Sequence, residues 1–298
     1  MINNQKNSIL IIIVLIVMVL LSGGILVWQY FKTLEKKGEA LEEIKIAREN
    51  KMEEIKITEE NKVEKLNEIY PKFLAMEACQ GISQGRTSEK IVALTFDDGP
   101  NKEYTREILS ILENYNIKAG FFIKGKYAKI DPELVKEIFE KGHIIGNHSF
   151  SHPNFIHISE QEIKEEIKKT SEIIYKITGE HPIFFRPPFG ACSPLMIEIL
   201  REKNYQIITW SAMTNDWDPV TAEHIAQDIL RRVGPGGIIG LHDGCPSMMG
   251  GDRSQTVKAL PKIIKELRNR GYRFASLDDL LNISAYSPTN DSRSQSHE

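Results

Sequence analysis

The feature that most constrains the fold of this chain is a regular alternation of short apolar runs and amphipathic segments from residue 91 onward. Strands that alternate with helices in this way pair in parallel, because each crossover helix carries the chain back to the same end of the sheet. The pattern predicts an α/β fold with parallel strands, either a (β/α) barrel or a doubly wound sheet. The predicted strands are 91–96, 119–123, 143–148, 183–186, 205–211, 237–242 and 272–276. Examples of predicted helices are 104–115, 131–141, 160–177 and 255–270.

Residues that can bind a metal ion or transfer a proton lie at or just beyond the C-terminal ends of the predicted strands. They are Asp97, Asp98, His148, His152, Arg186, Asp216 and His242. The carboxyl ends of parallel strands share one face, and barrel enzymes assemble their active sites there. We therefore expect these side chains to meet in one active site.

The adjacent pair Asp97 and Asp98 indicates a cation. Two neighbouring carboxylates raise each other's pKa unless a positive charge lies between them. His148 and His152 are four residues apart in NHSFSH. One carboxylate and two imidazoles leave coordination positions open for water and substrate, which is typical of catalytic metal sites. The second carboxylate would then act as a base on a water molecule activated by the metal.

These residues belong to motifs that resemble a known family. TFDDGP, HSFSH, RPPFG, NDW and LHD occur in the order and spacing of the polysaccharide deacetylases, the NodB-homology domain or carbohydrate esterase family four. The resemblance covers roughly residues 91–281. It implies a deformed (β/α) barrel of parallel strands that removes N-acetyl groups from amino sugars with a divalent metal, often Zn²⁺.

The resemblance also implies a role for each motif residue. Three residues would hold the metal: Asp98, His148 and His152. Asp97 would be the general base, and Arg186 would orient it. His242 would be the general acid that protonates the leaving amine, with Asp216 holding its ring.

Four further residues are implied as substrate contacts: Pro188, Phe189, Trp217 and Leu241. The backbone N–H of Phe189, together with the metal, would stabilise the oxyanion, and Trp217 and Leu241 would wall the pocket for the acetyl methyl group. The sequence departs from the family at Met213, where many members have an aspartate, and at Phe189, where tyrosine is frequent.

The N-terminus predicts a membrane anchor. Residues 9–27 are uncharged, apolar and long enough to cross the hydrocarbon core. Trp28 and Tyr30 follow, where an interfacial aromatic belt belongs. The run is longer than a usual signal-peptide core and lacks a clear cleavage site. After an N-terminal cap of residues 1–8, the pattern therefore favours an uncleaved signal anchor over 9–30.

A charged helical stalk is predicted over 33–72. LEEIKIARENK is followed directly by MEEIKITEENK, and an eleven-residue repeat keeps its apolar residues on one narrow helical stripe. Either a coiled coil that forms a homo-oligomer or a solvated single helix fits this stripe. A linker (76–90), the deacetylase domain (91–283) and a disordered tail (284–298) are predicted to follow.

The composition of the chain bears on two further points, nucleic-acid binding and the state of the cysteines. The net charge of −3 gives no basic footprint for nucleic acid. Three cysteines, Cys79, Cys192 and Cys245, do not make a disulfide framework, so buried thiols are expected, and one disulfide pair plus one thiol stays open. Because Cys192 and Cys245 each follow a motif, a disulfide or a thiol near the cleft is the alternative.

Taken together, the sequence predicts a membrane-anchored, metal-dependent deacetylase of N-acetylated polysaccharide on the outer face of a bacterial membrane. Peptidoglycan N-acetylglucosamine is the expected substrate, because anchor and stalk would hold the enzyme near the wall. Two alternatives stay open. The same fold could act on chitin-like oligosaccharides or a small amide, or the chain could be a catalytically silent glycan-binding or assembly protein. A silent relative would be expected to lack a ligand, the base or the acid.

Overall fold

A computed structural model gives the structure of the protein. It describes residue 79, residues 81–245 and residues 251–288, together with three isolated helical lysines upstream, Lys32, Lys45 and Lys51. The chain divides into two compact units, Met1–Ala75 and Met76–Glu298. The predicted anchor, and the predicted stalk apart from Lys45 and Lys51, lie outside the described residues. Within the described part of the chain, no helix combines the length and the apolar character needed to cross a membrane.

The described part of the second unit contains eight strands. They are β1 (Ile91–Asp97), β2 (Gly120–Ile123), β3 (Ile144–Asn147), β4 (Phe184–Phe185), β5 (Gln206–Ile207), β6 (Ala212–Met213), β7 (Ile238–His242) and β8 (Arg273–Phe274). The strand order is β5-β4-β3-β2-β1-β7-β6, and β8 pairs with the start of β1. Every pairing is parallel. The predicted parallel α/β architecture is therefore confirmed, as a curled half-barrel.

Helices lie between the strands, as the alternation predicts. Those in the described residues are α1 (Tyr104–Asn114), α2 (Gly125–Ile130), α3 (Pro132–Glu140), α4 (Glu160–Thr178), α5 (Pro194–Glu202), α6 (Ala222–Arg232), α7 (Ser254–Asn269) and α8 (Leu277–Leu281). Local sequence sets their ends. Helix α4 begins with a capping box between Ser159 and Glu162, and it ends at Gly179 in the left-handed conformation. The cap satisfies backbone N–H groups that the first helical turn leaves without partners.

The single strand predicted over 205–211 is wrong, because the chain changes its partner there. The N–H of Ile208 donates to Phe185 on β4, whereas the N–H of Ser211 donates to Ile238 on β7. Two short strands result, β5 and β6, and they are the two ends of the strand order. Residues 208–211 thus lead directly from one end of the curled sheet to the other.

Alternation along β1 decides which of its residues reach the site. Leu94 and Phe96 pack in the main hydrophobic core, which includes residues of α1, α6 and α7. Ala93 packs in a separate cluster, and the two-residue period of a strand places Thr95 and Asp97 on the same face as Ala93. Burying one large apolar side chain contributes about 1.5–3 kcal/mol, so a slip of β1 by one residue would be costly.

Residues on both sides of the predicted domain, 91–283, contact the sheet. Within the predicted linker, Ile82 bridges to Ile208 and Gln84 bridges to Gly237. The predicted tail also contains such a residue. Tyr286 forms a bridge with Pro182, and its hydroxyl accepts a hydrogen bond from the N–H of Ile145 on β3 at 2.9 Å. The domain therefore includes residues on both sides of 91–283.

The cysteines also differ from expectation. Cys79 and Cys192 form a disulfide, with their Cα atoms 5.1 Å apart. The expectation of thiols is therefore wrong for both, whereas Cys245 keeps its thiol, so the alternative of one pair plus one thiol holds. The bridge joins the segment before β1 to the chain just beyond the RPPFG motif, and its two cysteines are 113 residues apart in sequence.

Candidate active site

A cavity of 430 Å³ opens at the carboxyl ends of the strands. Its lining residues are Asp97, Asp98, His148, His152, Pro187, Phe189, Trp210, Met213, Asn215, Trp217 and His242. The structure thus brings two of the three predicted aspartates, Asp97 and Asp98, and all three predicted histidines of the site to one cavity. The remaining two, Arg186 and Asp216, are buried directly behind it and contact lining residues.

Asp97 and Asp98 both face the cavity although they are consecutive. In a regular strand, neighbouring side chains point to opposite faces. Asp97 is the last residue of β1, and Asp98 adopts a left-handed conformation with φ of 72°. The change of conformation at Asp98 ends the strand and lets two adjacent carboxylates line one space.

Asp98, His148 and His152 form a candidate metal centre. One donor atom from each lies within 4.8 Å of the others. Oδ1 of Asp98 is 3.7 Å from Nε2 of His148 and 3.3 Å from Nε2 of His152. This oxygen is buried and has no hydrogen-bond partner among the described residues. Buried polar atoms are almost always hydrogen-bonded, so a cation is the natural partner for this oxygen.

The protonation of the two imidazoles fits a cation. Burial lowers the pKa of His148 to about 3 and that of His152 to about 2. Nδ1 of His148 lies 2.7 Å from the carbonyl of Arg186, which identifies Nδ1 as the protonated nitrogen of a neutral ring. Nε2 therefore offers a lone pair towards Asp98, whose own pKa burial raises to about 6. Such a donor set suits a divalent ion such as Zn²⁺.

Asp97 is held by a wholly buried arginine. Nη1 of Arg186 donates to Oδ1 of Asp97 at 2.7 Å and to the hydroxyl of Thr95 at 2.8 Å. The other nitrogens of the guanidinium donate to the carbonyls of Ile208 and Thr209. With every nitrogen engaged, the guanidinium is fixed, and Asp97 is held as an oriented carboxylate.

His242 is held differently from the other two histidines. Its Nδ1 lies 2.7 Å from Oδ1 of Asp216, and its backbone N–H donates to Oδ2 of the same carboxylate at 2.8 Å. Thr256 also donates to Oδ2, at 2.9 Å. Burial alone would lower the pKa of His242, but the charge and hydrogen bond of Asp216 outweigh it and raise this pKa to about 9. His242 is thus an imidazolium at neutral pH.

The four predicted substrate contacts divide into two pairs. Phe189 and Trp217 line the cavity and are exposed, by 64% and 41%. Phe189 packs edge-on against His152, and Trp217 packs edge-on against His242. Pro188 and Leu241 are buried and do not line the cavity; Leu241 belongs to the main core. A contact of either with substrate stays a prediction.

Sequence reasoning missed six residues of the site: Thr95, Pro187, Trp210, Met213 as a lining residue, Asn215 and Thr256. Pro187 and Asn215 belong to the RPPFG and NDW motifs, but no role was predicted for them. Thr95 precedes Asp97 by two positions on β1, so strand alternation could have placed it beside the base. Met213 drew attention as a departure from the family, and it lines the cavity. Trp210 lies within 205–211, which was predicted as a single strand, so its place in the site was not predicted. No sequence signal distinguishes Thr256 from other threonines.

Known proteins resemble this chain across the same region. The sequence model of the family described as polysaccharide deacetylase matches residues 84–208. A peptidoglycan-N-acetylglucosamine deacetylase of Bacillus cereus is 42% identical over 193 residues, which cover 65% of this chain and 69% of that protein. The chain belongs to the polysaccharide deacetylase family. It is therefore a polysaccharide deacetylase by its family.

Solved structures agree in fold. The Bc1960 peptidoglycan N-acetylglucosamine deacetylase, solved with a substituted N-oxidanyl-benzamide, gives a TM-score of 0.66 at 39% identity and covers 69% of this chain and 94% of its own. BA3943 of Bacillus anthracis, described as a pseudoenzyme, gives a TM-score of 0.62 at 30% identity, with coverages of 68% and 69%. Because the family includes such a member, the presence of each predicted site residue matters, and here the predicted ligands, base and acid all line one cavity; their roles stay predictions.

Proposed function

We propose that this deacetylase hydrolyses the N-acetyl groups of peptidoglycan N-acetylglucosamine, with Zn²⁺ at Asp98, His148 and His152. One observation carries the proposal. Three preformed units surround a single cavity: a cation-binding set, a carboxylate oriented by Arg186, and an imidazolium held by Asp216. Amide hydrolysis requires an activated water, an electrophile for the carbonyl oxygen and a proton for the nitrogen, and each unit supplies one of these.

The catalytic roles follow from the hydrogen bonds of each residue. Asp98, His148 and His152 would hold a divalent ion, and such an ion would supply a Lewis acid for the acetyl carbonyl and for water. Asp97 accepts the proton of the attacking water, because its Oδ1 is fixed on Arg186 and its carboxylate lines the cavity. The new C–O bond forms on the acetyl carbon.

His242 completes the reaction on the other side of the scissile bond. Its Nδ1 is committed to Asp216, so Nε2 is the nitrogen left to donate a proton. That proton passes to the amide nitrogen as the C–N bond breaks, which releases acetate and leaves the sugar amine. The raised pKa keeps this proton available at neutral pH.

The substrate class is supported by the cavity walls and by the relatives. Phe189 and Trp217 are exposed aromatic side chains on the lining, and aromatic rings of this kind provide apolar contact area for a sugar ring. The Bacillus cereus relative and the Bc1960 enzyme are both peptidoglycan N-acetylglucosamine deacetylases by name. We extend that substrate to this chain.

The location of the enzyme is part of the proposal. Residues 9–30 anchor the chain in a bacterial membrane, and the catalytic domain lies on the outer side, near the wall. The disulfide between Cys79 and Cys192 supports this side, because disulfides persist in oxidising compartments outside the cytoplasm. A helical stalk over 33–72 would extend about 60 Å at ~1.5 Å per residue, as a single helix or as a coiled coil between copies.

Acetate release by the full-length protein in detergent micelles tests the proposal. Peptidoglycan and chitooligosaccharides are offered side by side, with EDTA, and with EDTA followed by excess Zn²⁺. We expect release from peptidoglycan that EDTA abolishes and Zn²⁺ restores. Release from chitooligosaccharides alone would move the substrate to chitin-like oligomers, and no release from either would remove the activity.

A further inference from the structure

Two Asp-Gly pairs end neighbouring parallel strands of the sheet. Asp98-Gly99 follows β1, and Asp243-Gly244 follows β7. The carbonyl of Asp97 accepts hydrogen bonds from the N–H groups of both Asp243 and Gly244, at 3.2 Å each. The second pair is therefore fastened to the backbone that carries the predicted base and the first metal ligand.

The two pairs interlock through their glycines. A Cβ atom at Gly99 would collide with the carboxylate of Asp243, and a Cβ atom at Gly244 would collide with the backbone carbonyl of Asp98. Neither glycine has a positive φ, so the reason for glycine at both positions is space rather than backbone conformation. Each glycine leaves room that the aspartate of the other pair occupies.

Asp243 is a buried carboxylate that the proposed mechanism does not use. Its side chain has no exposed surface. Oδ2 accepts a hydrogen bond from the hydroxyl of Thr105 in the first turn of α1, at 2.5 Å. Oδ1 has no hydrogen-bond partner among the described residues. Burying such a group is costly, so its retention requires a compensating role.

We propose that Asp243 is a positioning residue for the metal-binding turn: its carboxylate fills the space beside Gly99 and holds Asp98 in place. Asp98 is a non-glycine residue at φ of 72°, a conformation that persists only when the surrounding packing imposes it. Asp243 and Gly244 supply this packing from β7, so the metal ligand depends on the strand that also carries His242. The inference rests on the proposed function, since it assigns Asp98 to a metal.

Zinc affinity of the full-length protein, measured by competition with a chromophoric chelator, tests the inference without any assay of activity. Asp243→Ala and Gly99→Ala are each expected to weaken zinc binding by about tenfold or more, as changes beside metal ligands commonly do. In the double variant the methyl group added at position 99 enters the space that the carboxylate has left. We therefore expect the double variant to bind Zn²⁺ more tightly than Gly99→Ala alone.

Two control variants and one kinetic measurement make the result decisive. Gly234→Ala adds a methyl group in open space and should leave zinc affinity unchanged. Asp243→Asn keeps the shape of the side chain and should stay within about threefold of wild type. For peptidoglycan, kcat is expected to fall in Asp243→Ala while KM stays near the wild-type value, because Phe189 and Trp217 are untouched.

The outcomes separate this inference from the proposed function. Additive losses in the double variant, or wild-type zinc affinity in Asp243→Ala, would overturn the positioning role and leave the deacetylase proposal intact. A wild-type protein that binds no Zn²⁺ would remove the proposed metal and the inference with it. If Gly99→Ala alone fails to fold, as thermal unfolding would show, the pair Asp243→Ala and Asp243→Asn still decides the question, because only Asp243→Ala is expected to lose zinc affinity.

Discussion

Histidines in two regions of one cavity have pKa values that are shifted in opposite directions. Burial lowers the pKa values of His148 and His152 to about 3 and 2, whereas the carboxylate of Asp216 raises the pKa of His242 to about 9 despite burial. All three lie near a carboxylate. The difference is that Asp216 makes a hydrogen bond to Nδ1 of His242 at 2.7 Å, while Oδ1 of Asp98 has no hydrogen-bond partner in the part of the chain that the structure describes.

This comparison shows how histidine can be an acid in one part of the cavity and a candidate metal ligand in another. A carboxylate that shares a proton with an imidazole keeps the ring charged, and the ring becomes an acid. A carboxylate that points at imidazole lone pairs without a proton between them forms a cation site. If the cation site and the acid are separate groups, a change in one should leave the property of the other unchanged.

Asp98→Asn should have the largest effect. Replacing the carboxylate of the cation set by an amide removes its negative charge, so we expect zinc binding to fall below detection. Deacetylation should fall by a factor on the order of 10³, because the loss of a Lewis acid removes several kcal/mol of transition-state stabilisation. Chelator competition and acetate release measure the two effects. Asp218→Asn, at an exposed position beyond the NDW motif, is the matched control; unchanged zinc binding in Asp98→Asn would remove Asp98 from the site.

His242→Ala should have the next largest effect and should separate the two regions. Loss of a positioned general acid typically costs ~10²- to 10⁴-fold in rate, so kcat for acetate release should fall in that range. Zinc affinity should stay within a few-fold of wild type, since His242 is not a ligand. His224→Ala, at an exposed position on α6, controls for the loss of an imidazole. Equal loss of metal from His242→Ala would show that the division into acid and ligand is wrong.

The pH dependence of the activity tests the role of His242 as the acid. His242 must be protonated to act, and its pKa is raised to about 9, so activity should persist through neutral pH and fall as the pH rises through about 9. Asp216→Asn removes the charge that raises this pKa. The alkaline limb of the kcat profile should then move down towards ~6.5, the ordinary value for histidine. An alkaline limb that stays in place in Asp216→Asn would contradict the role of Asp216.

Much of this division could be predicted from the sequence, because it depends on residues at strand ends. Alternating strands and helices place the residues after β1, β3 and β7 on one face, and the motifs then identify Asp98, His148 and His242. Whether each imidazole is charged or neutral could not be predicted in this way. Its charge depends on whether a proton lies between a carboxylate and the ring, and this requires distances such as the 2.7 Å between His242 and Asp216.

Other parts of the molecule escaped prediction for related physical reasons. The disulfide joins residues 113 positions apart, and such proximity arises only from the complete fold. Tyr286 lies in a polar segment that composition assigns to disorder, yet its hydroxyl accepts a hydrogen bond from the backbone of β3. The strand over 205–211 splits because its neighbours in the sheet change at Ile208, and no local pattern encodes a change of neighbour.

Thr95→Val should have the smallest effect. It tests whether the base, Asp97, acts independently of the cation site and of His242. The change removes a hydroxyl that accepts from Nη1 of Arg186 at 2.8 Å and donates to the carbonyl of Ile239 at 2.7 Å, while the shape of the side chain is nearly conserved. Loss of the hydrogen bond to the charged guanidinium costs about 1.5–3 kcal/mol at most, and the remaining contacts of Arg186 should absorb part of it. We therefore expect kcat to fall roughly three- to tenfold, with zinc affinity and the alkaline limb both unchanged. A shift in either would mean that Arg186 and Asp97 are coupled to the cation site or to His242, and that the cavity works as one electrostatic unit rather than three.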